Sequence, residues 1–560
     1  MQAIINMLNI VAYTSKDILL NLTKKITTRL LIKACKYNFY KCIHLLNYLE
    51  IDIENELLNR LMHCAVENDS LNFITALMQH GAAIDQPNEK GETVWEIALE
   101  KTNLKLIMVL LKLKSYDEDI AAKALLKEAK NNKSFRYLER FIALGADINK
   151  QDHNGNSLLH FAAKYNDIGA MQTLIKNNAN LSPRNKNGEM PIHYAAKYHC
   201  SYGTEDYPDG ALQLLIKHGA ITNAKNFAGE TPLHASVYNV PRLIDSGEPS
   251  VALINHNLNT LIDNNADVNI DNNKRQSLLH AAVIARNVTA VIYLSSRNLV
   301  DINGADILNC TPLHLAIYNM AGYDIVRTLI TFGAQVLAKD IFGNIPLHYF
   351  TRIPANRSIS SSNNDTVQDQ LKILRSLSES VSIKEQLMTL NNNRQTPLHC
   401  IIAENGNILL IKKLFNTLTT IQKKQLINAI DNNGNTLLHT ACEINIDNLY
   451  KEKHKGKLAK AMQALDRNAL EIVTFLVEQG CNVYTLNKYA ETPLDIAKEY
   501  STPGIVEILQ KCHKLPDIRQ APIAMMFARP QAETARGDVT RSRNNTWLNS
   551  SSVTTNPKLF

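Results

Sequence analysis

A short pattern that returns at nearly constant intervals constrains this chain more than any other feature. The stretch NCTPLHLAIYN (309–319) sets His314 inside an apolar run. The same context surrounds His63 (LMHCAV), His160 (LLHFAA), His193 (PIHYAA), His234 (PLHASV), His280 (LLHAAV), His348 (PLHYF), His399 (PLHCII) and His439 (LLHTAC). Nine of the 17 histidines therefore share one local setting. Measured at the Thr position of the pattern, Ser157 to Met190 is 33 residues, Ser277 to Thr311 is 34, Thr311 to Ile345 is 34 and Arg60 to Thr93 is 33. A period of this length means one supersecondary unit per repeat, each burying its apolar face only against its neighbours.

The pattern has a local physical reading. Thr311 is a good N-cap, because its hydroxyl can accept from a free backbone N–H of the first helical turn. Pro312 at the first helical position lacks only a donor that would be unpaired there anyway. His314 then falls third, where a polar side chain reaches back to the cap as in a capping box. Leu313 and Ala316 face the core. A second apolar-periodic helix follows, such as IVRTLITFGAQV (325–336) or AMQTLIKNNANL (170–181), and then a turn such as QDHNGN (151–156) or KDIFGN (339–344). The histidines are assigned to architecture and not to chemistry.

In its T-P-L-H-x-A core and the G-A-D-I-N ending at Gly145–Asn149, the chain resembles the ankyrin-repeat family. Clear units start at 60, 93, 157, 190, 231, 277, 311, 345, 396, 436 and 492, and degenerate ones near Arg29 and Lys123. The resemblance implies an all-α repeat solenoid of about 13 helix pairs with β-hairpin fingers, spanning residues 28–513. Four stretches break the period between the two helices of a unit, near 197–210, 240–250, 353–366 and 444–468. Neutral drift and function are both open for them; the Lys-rich 444–468 segment has the pattern of an extra surface helix. Two further extensions, 378–390 and 418–430, follow a second helix. Residues 1–27 carry apolar side chains at helical spacing, without the charge or cleavage pattern of a secretory signal, and are expected to cap the first repeat. Residues 514–560 lose the period and are expected to be a mostly disordered tail.

The remaining composition narrows the function. Nine cysteines form no CxxC pair, which points to a reducing compartment and no disulfide framework. His199–Cys200 is an adjacent His/Cys pair, and no metal role is assigned to it. Phosphate-loop, nucleophile-elbow, HExxH and kinase signatures are missing, so no catalytic residues, metal or cofactor are expected. A net charge of +7 over 560 residues is scattered and does not mark a nucleic-acid binder. No apolar run approaches the length of a membrane span. Protein binding remains, and the resemblance implies finger tips and the first helices as the binding surface. Three tips carry an aromatic residue: Phe227, Phe342 and Tyr489. The alternative is that these rings fold back on the adjacent finger. Arg275 and Arg394 occupy the place of the finger glycine, so those two fingers are expected to be remodelled.

The irregular repeats and the Lys-, Asn- and Ile-rich composition also resemble ankyrin proteins of intracellular bacteria, many delivered into host cells by type IV secretion. That resemblance implies synthesis in the bacterial cytoplasm, a translocation signal in 514–560 and a monomeric effector that binds a host protein. An intrabacterial regulatory scaffold, and an enzyme with its activity in the insertions or tail, are the alternatives.

Overall fold

The computed structural model describes residues 29, 31–37, 40, 55–113, 118–198, 210–238, 256–350, 363–443, 458–500 and 503–514, with single breaks at 85, 102, 134, 144 and 405. The expected N-terminal cap (1–27), most of each insertion (199–209, 239–255, 351–362, 444–457) and the tail from 515 lie outside the described residues. Met1–Val506 forms one compact unit and Glu507–Phe560 a second, of which only 507–514 is described.

Helices alternate with turns throughout. Among the described residues there are twelve pairs, running from Asn55–Glu67 with Leu71–Gln79 to Pro493–Tyr500 with Pro503–Lys514. Of the pair expected near Arg29, only residues 29, 31–37 and 40 are described. First helices are short because a cap and often a proline start them abruptly. Pro191–Lys197, Pro312–Tyr318 and Pro397–Ala403 each begin with proline at the position where its missing N–H costs nothing. Those in the middle of the array bury most of their side chains: in Leu158–Tyr165 the six residues from Leu158 to Ala163 are all inside. The alanines let first helices pack on one another, so that Pro191–Lys197 touches both Leu158–Tyr165 and Pro232–Val237. Second helices are one-sided, as in Tyr323–Thr331, which buries Ile325, Val326 and Leu329.

Seven histidines make the same pair of bonds: His160, His193, His234, His280, His314, His348 and His439. The backbone N–H of the cap residue donates to Nδ1, at 3.0 Å for Ser157 and 3.1 Å for Thr311. Nε2 meets the carbonyl just before the next cap, at 3.0 Å from Asn344 for His314. Since an N–H can only donate and a carbonyl only accept, each ring must be the neutral Nε2–H tautomer. His399 keeps the cap bond from Thr396. Where the third position is acidic, the carboxylate takes over the cap: Glu96 accepts from Thr93 and Asp495 from Thr492.

His63 departs from the expected setting. It lies in the middle of Asn55–Glu67, with Nδ1 against the Asn59 carbonyl and Nε2 against that of Glu92. Its unit has Asn59-Arg60-Leu61 where most others have a Ser or Thr cap, a proline or both, and its helix starts earlier, at Asn55. The unit at Ile345 also differs, because its first helix is one 3-10 turn, Pro346–Tyr349. Its sequence reaches Pro354 within two turns, and a proline disfavours helix in the residue before it. The part of the 444–468 segment that is described is not a separate helix. Residues 458–468 run straight into Leu458–Glu478. The extensions after second helices supply the short helices Ile383–Met388 and Thr420–Ile427.

The segments expected as β-hairpin fingers are tight turns; among the described residues the pairing is one isolated bridge, Gln151 to Ser157. No described helix is long and apolar enough to cross a membrane. None of the seven described cysteines is in a disulfide.

Burial holds the ring pKa of His160, His314, His348 and His399 down to about 4. An unfolded histidine titrates near 6.5, so between these values the unfolded chain binds more protons and acid favours it. The stability of the stack is expected to be complete above pH 6.5 and to fall as the pH drops towards 4, read as Tm by circular dichroism. His314→Ala should lower stability by about 1 kcal/mol at pH 7.5 and make the acid limb shallower.

Candidate functional site

Among the described residues, ten junctions between units are turns of one construction. An Asp or Asn opens each: Asn88, Asp152, Asn185, Asn226, Asn272, Asp306, Asp340, Asn391, Asp431 and Asn487. Its Oδ1 accepts from the backbone N–H groups two and four residues on, at 2.8–3.0 Å. The short Asx side chain thus imitates a backbone turn. The third residue after it has φ between 55° and 80° in all ten turns, a conformation glycine adopts without steric cost. Six of the ten have glycine there, and at Gly188 a Cβ would come within 2.6 Å of the Phe227 ring.

From Asp152 to Asn487 the nine turns are also bonded to one another. In each after the first, the N–H just after the Asx residue donates to a carbonyl of the preceding turn: Lys186 to Asn154, Phe227 to Asn187, Asn273 to Ala228, Ile307 to Lys274, Ile341 to Leu308, Asn392 to Phe342, Asn432 to Asn393 and Lys488 to Asn433. These eight bonds, 2.8–3.0 Å long, run along the finger tips as a continuous backbone ladder. Side chains reinforce it at Asn185 to Asn156 (3.1 Å), Asn391 to Asn344 (2.8 Å) and Asn487 to Asn435 (3.0 Å). A tyrosine locks some fingers to their helix. Tyr238 donates to Glu230 at 2.8 Å, and Tyr349 donates to the Asp340 carboxylate. Burial pushes the Tyr194 hydroxyl up to about 12 and raises the Asp340 carboxyl above its ordinary range.

The aromatic residues expected at the tips are placed differently from one another. Phe227 is 66% exposed, although its ring lies against Gly188 of the preceding finger. Tyr489 is 55% exposed, on the last finger of the ladder. Phe342, two residues past its Asx like Tyr489, is half-buried, and its carbonyl is engaged by the following finger. Arg275 and Arg394 are exposed, with φ of 55° and 58°. Their fingers are not remodelled as the sequence suggested: Asn272 and Asn391 make the same turn bonds as elsewhere. Two accepted bonds per turn hold an arginine in a conformation that glycine would take freely.

Two further groups were not singled out by aromatic character. Ile307 and Ile341, 44% and 48% exposed, stand at the same tip position as Phe227. Leu390, Ile430 and Leu486, all exposed, immediately precede the Asx residue of three successive fingers. Alignment of the fingers on the Asx residue, in place of a search for rings, would have found both. At two earlier fingers that preceding residue is basic and reaches along the ladder: Arg184 donates to the Lys225 carbonyl at 2.6 Å and Lys225 to that of Asp271 at 3.2 Å. Among the described residues no cluster of His, Cys, Asp and Glu could hold a metal. The seven doubly bonded histidines have no ring nitrogen free to move a proton.

A family model described as ankyrin repeats, in three copies, matches residues 125–207 and 250–340. It is 28% identical over 246 residues to the B-cell lymphoma 3 protein homolog of Mus musculus, covering 41% of this chain and 49% of that protein. It is 28% identical over 144 residues to the putative ankyrin repeat protein FPV228 of Fowlpox virus (strain NVSL), covering 25% and 26%. A probable 26S proteasome regulatory subunit, p28 of Saccharomyces cerevisiae, is 24% identical over 198 residues, or 35% of this chain and 68% of that one. The matched part thus spans at most half the length of the first two. Such repeats indicate a scaffold for protein–protein interaction.

Replacing Arg275 and Arg394 by glycine should relieve a left-handed residue in each finger, at about 1 kcal/mol apiece. Urea unfolding of the double variant is expected to shift to higher midpoint with unchanged slope. An unchanged or lower midpoint would show that the arginine side chains stabilise their fingers by more than the backbone strain they impose.

Proposed function

We propose that this chain is a non-catalytic protein-binding scaffold, and that the finger tips between Phe227 and Tyr489 are its capture surface. One observation carries the reading. Large apolar side chains, Phe227, Ile307, Ile341 and Tyr489, stand exposed on a backbone that the ladder holds in place. A rigid support matters because ordering a mobile loop on binding would subtract from affinity, and exposed aromatics on such a support have the character of hot spots. Arg275 and Arg394 add fixed cations with five donors each at the same tips.

The finer reading rests on resemblance. In it the chain is a monomeric effector of an intracellular bacterium, made in the bacterial cytoplasm and delivered by type IV secretion, with residues 514–560 as its signal. Its partner is a host protein whose traffic, stability or transcription it alters. That a relative is named as a regulatory subunit of an assembly supports a role exercised through binding.

The test is a pull-down from eukaryotic lysate with the full chain beside a Phe227→Ala/Ile307→Ala/Tyr489→Ala variant of equal Tm. A partner retained by the first should bind the second at least roughly 30-fold more weakly, the loss of one hot spot of about 2 kcal/mol. Equal capture would remove the finger tips from the binding surface. A partner found only in bacterial lysate would point to an intrabacterial scaffold. For the export signal, a translocation reporter should lose its signal when residues 514–560 are deleted.

A further inference from the structure

A second surface lies at the far end of the first helices from the fingers. The helix Leu158–Tyr165 ends in Lys164-Tyr165, and Pro191–Lys197 ends in Lys197 followed by Tyr198. The preceding unit contributes Lys130, at the end of Glu118–Asn132, and Lys133 just after it. These residues interleave. Lys133 lies 5.8 Å from the centre of the Tyr165 ring, Lys164 5.5 Å from Tyr165 and 5.3 Å from Tyr198, and Lys197 5.9 Å from Tyr198. The Tyr165 hydroxyl donates to the Lys130 carbonyl at 3.4 Å, which fixes that ring across the junction of two units. Lys130 and Lys133 are exposed, and the other four side chains are half-exposed.

Four cations are thus gathered over three successive units, and among the described residues none of them is paired with a carboxylate. Among the described residues the ion pairs lie elsewhere, at Asp69–Lys101, Asp369–Lys372, Asp495–Lys498 and Glu507–Lys511. A lysine at a helix C-terminus opposes the helix dipole, and that accounts for one cation per helix. It does not account for Lys133 outside the helix, nor for Lys164 shared between two rings. Ring stacking restricts the lysine stems, so less side-chain freedom is lost when the ammonium groups meet an anion.

We propose that Lys130, Lys133, Lys164 and Lys197 form a docking strip for an acidic, extended peptide segment of a partner protein, separate from the finger tips. Spacing favours this occupant. Packed helices stand about 8–10 Å apart, and three residues of extended chain span about 10 Å at about 3.3 Å each. Carboxylates on every third residue of a segment therefore match lysines on successive units. A single-stranded nucleic acid would need free aromatic faces for its bases, whereas here the lysines lie over the rings. The first helices hold the two surfaces apart by their own length, about 12 Å for eight residues at about 1.5 Å each, so both could engage one partner.

The probe is a fluorescein-labelled (Glu-Ser-Gly)4 peptide, measured by anisotropy against the full chain at about 50 mM and about 300 mM salt, where screening of exposed charges differs strongly. Binding is expected at the lower salt and to weaken at the higher. Lys164→Glu/Lys197→Glu should weaken it by about tenfold or more, through the loss and reversal of two exposed pairs of up to about 1 kcal/mol each. The milder Lys164→Gln/Lys197→Gln should give an intermediate loss, and serves if the charge reversal perturbs folding. The Phe227→Ala/Ile307→Ala/Tyr489→Ala variant should bind the peptide as the native chain does, so that failure at the fingers and failure here are read separately. Equal affinity for native and glutamine-substituted chains would overturn the proposal. So would tighter binding of a (dT)12 oligonucleotide or of anionic phospholipid vesicles than of the peptide.

Discussion

The backbone ladder along the finger tips depends on bonds that no unit can make alone. A finger closes on itself through its Asx side chain, but the N–H after that residue needs the carbonyl of the preceding finger. The ring of the helix-starting histidine needs the carbonyl of the following one. Each unit therefore leaves one donor unsatisfied on either side until both neighbours are present, and an unpaired buried polar group is costly. This is the polar counterpart of the apolar requirement that one helix pair cannot bury its own core.

Histidine suits the junction because its two ring nitrogens have opposite roles in one tautomer. Nδ1 accepts from the cap behind it and Nε2–H donates to the unit ahead. A carboxylate accepts at the cap but has no donor to offer forward. Glu96 and Asp495 show this: each completes its cap without the forward bond. In the seven doubly bonded rings both nitrogens are engaged by backbone groups. Of the nine histidines that look alike in the sequence, seven are bridges between units; His399 keeps the cap bond, and His63 is bound differently, to the carbonyls of Asn59 and Glu92.

That same rigidity gives the surface its binding character. A ladder of backbone bonds fixes where each tip side chain stands without fixing what it is, so residues such as Phe227, Ile307 and Tyr489 can vary while the support does not. At the opposite ends of the first helices, the lysines and tyrosines of three units are brought into one strip by the same stacking. Neither surface exists within any single repeat.

The period, the cap or proline at most first-helix starts, and the positions of the turns were legible from the sequence, because each depends on residues within a few positions of one another. For the same reason the helix starts at Ser157, Thr231, Thr311 and Thr396 could be placed by eye. The exception at His63 was legible only in part: the missing cap and proline can be read at Asn59-Arg60-Leu61, but not where the helix would start instead. Exposure at the tips was decided by the tertiary structure. Ile341 and Phe342 are consecutive, yet the first is open and the second half-covered. Tyr489 occupies the position of Phe342 and is open, since the ladder ends at its finger. Arg275 and Arg394 keep a turn their residue type disfavours because the bonds to Asn272 and Asn391 outweigh the local preference. Local geometry is written in neighbouring residues, whereas burial depends on which unit stacks beside which, tens of residues along the chain.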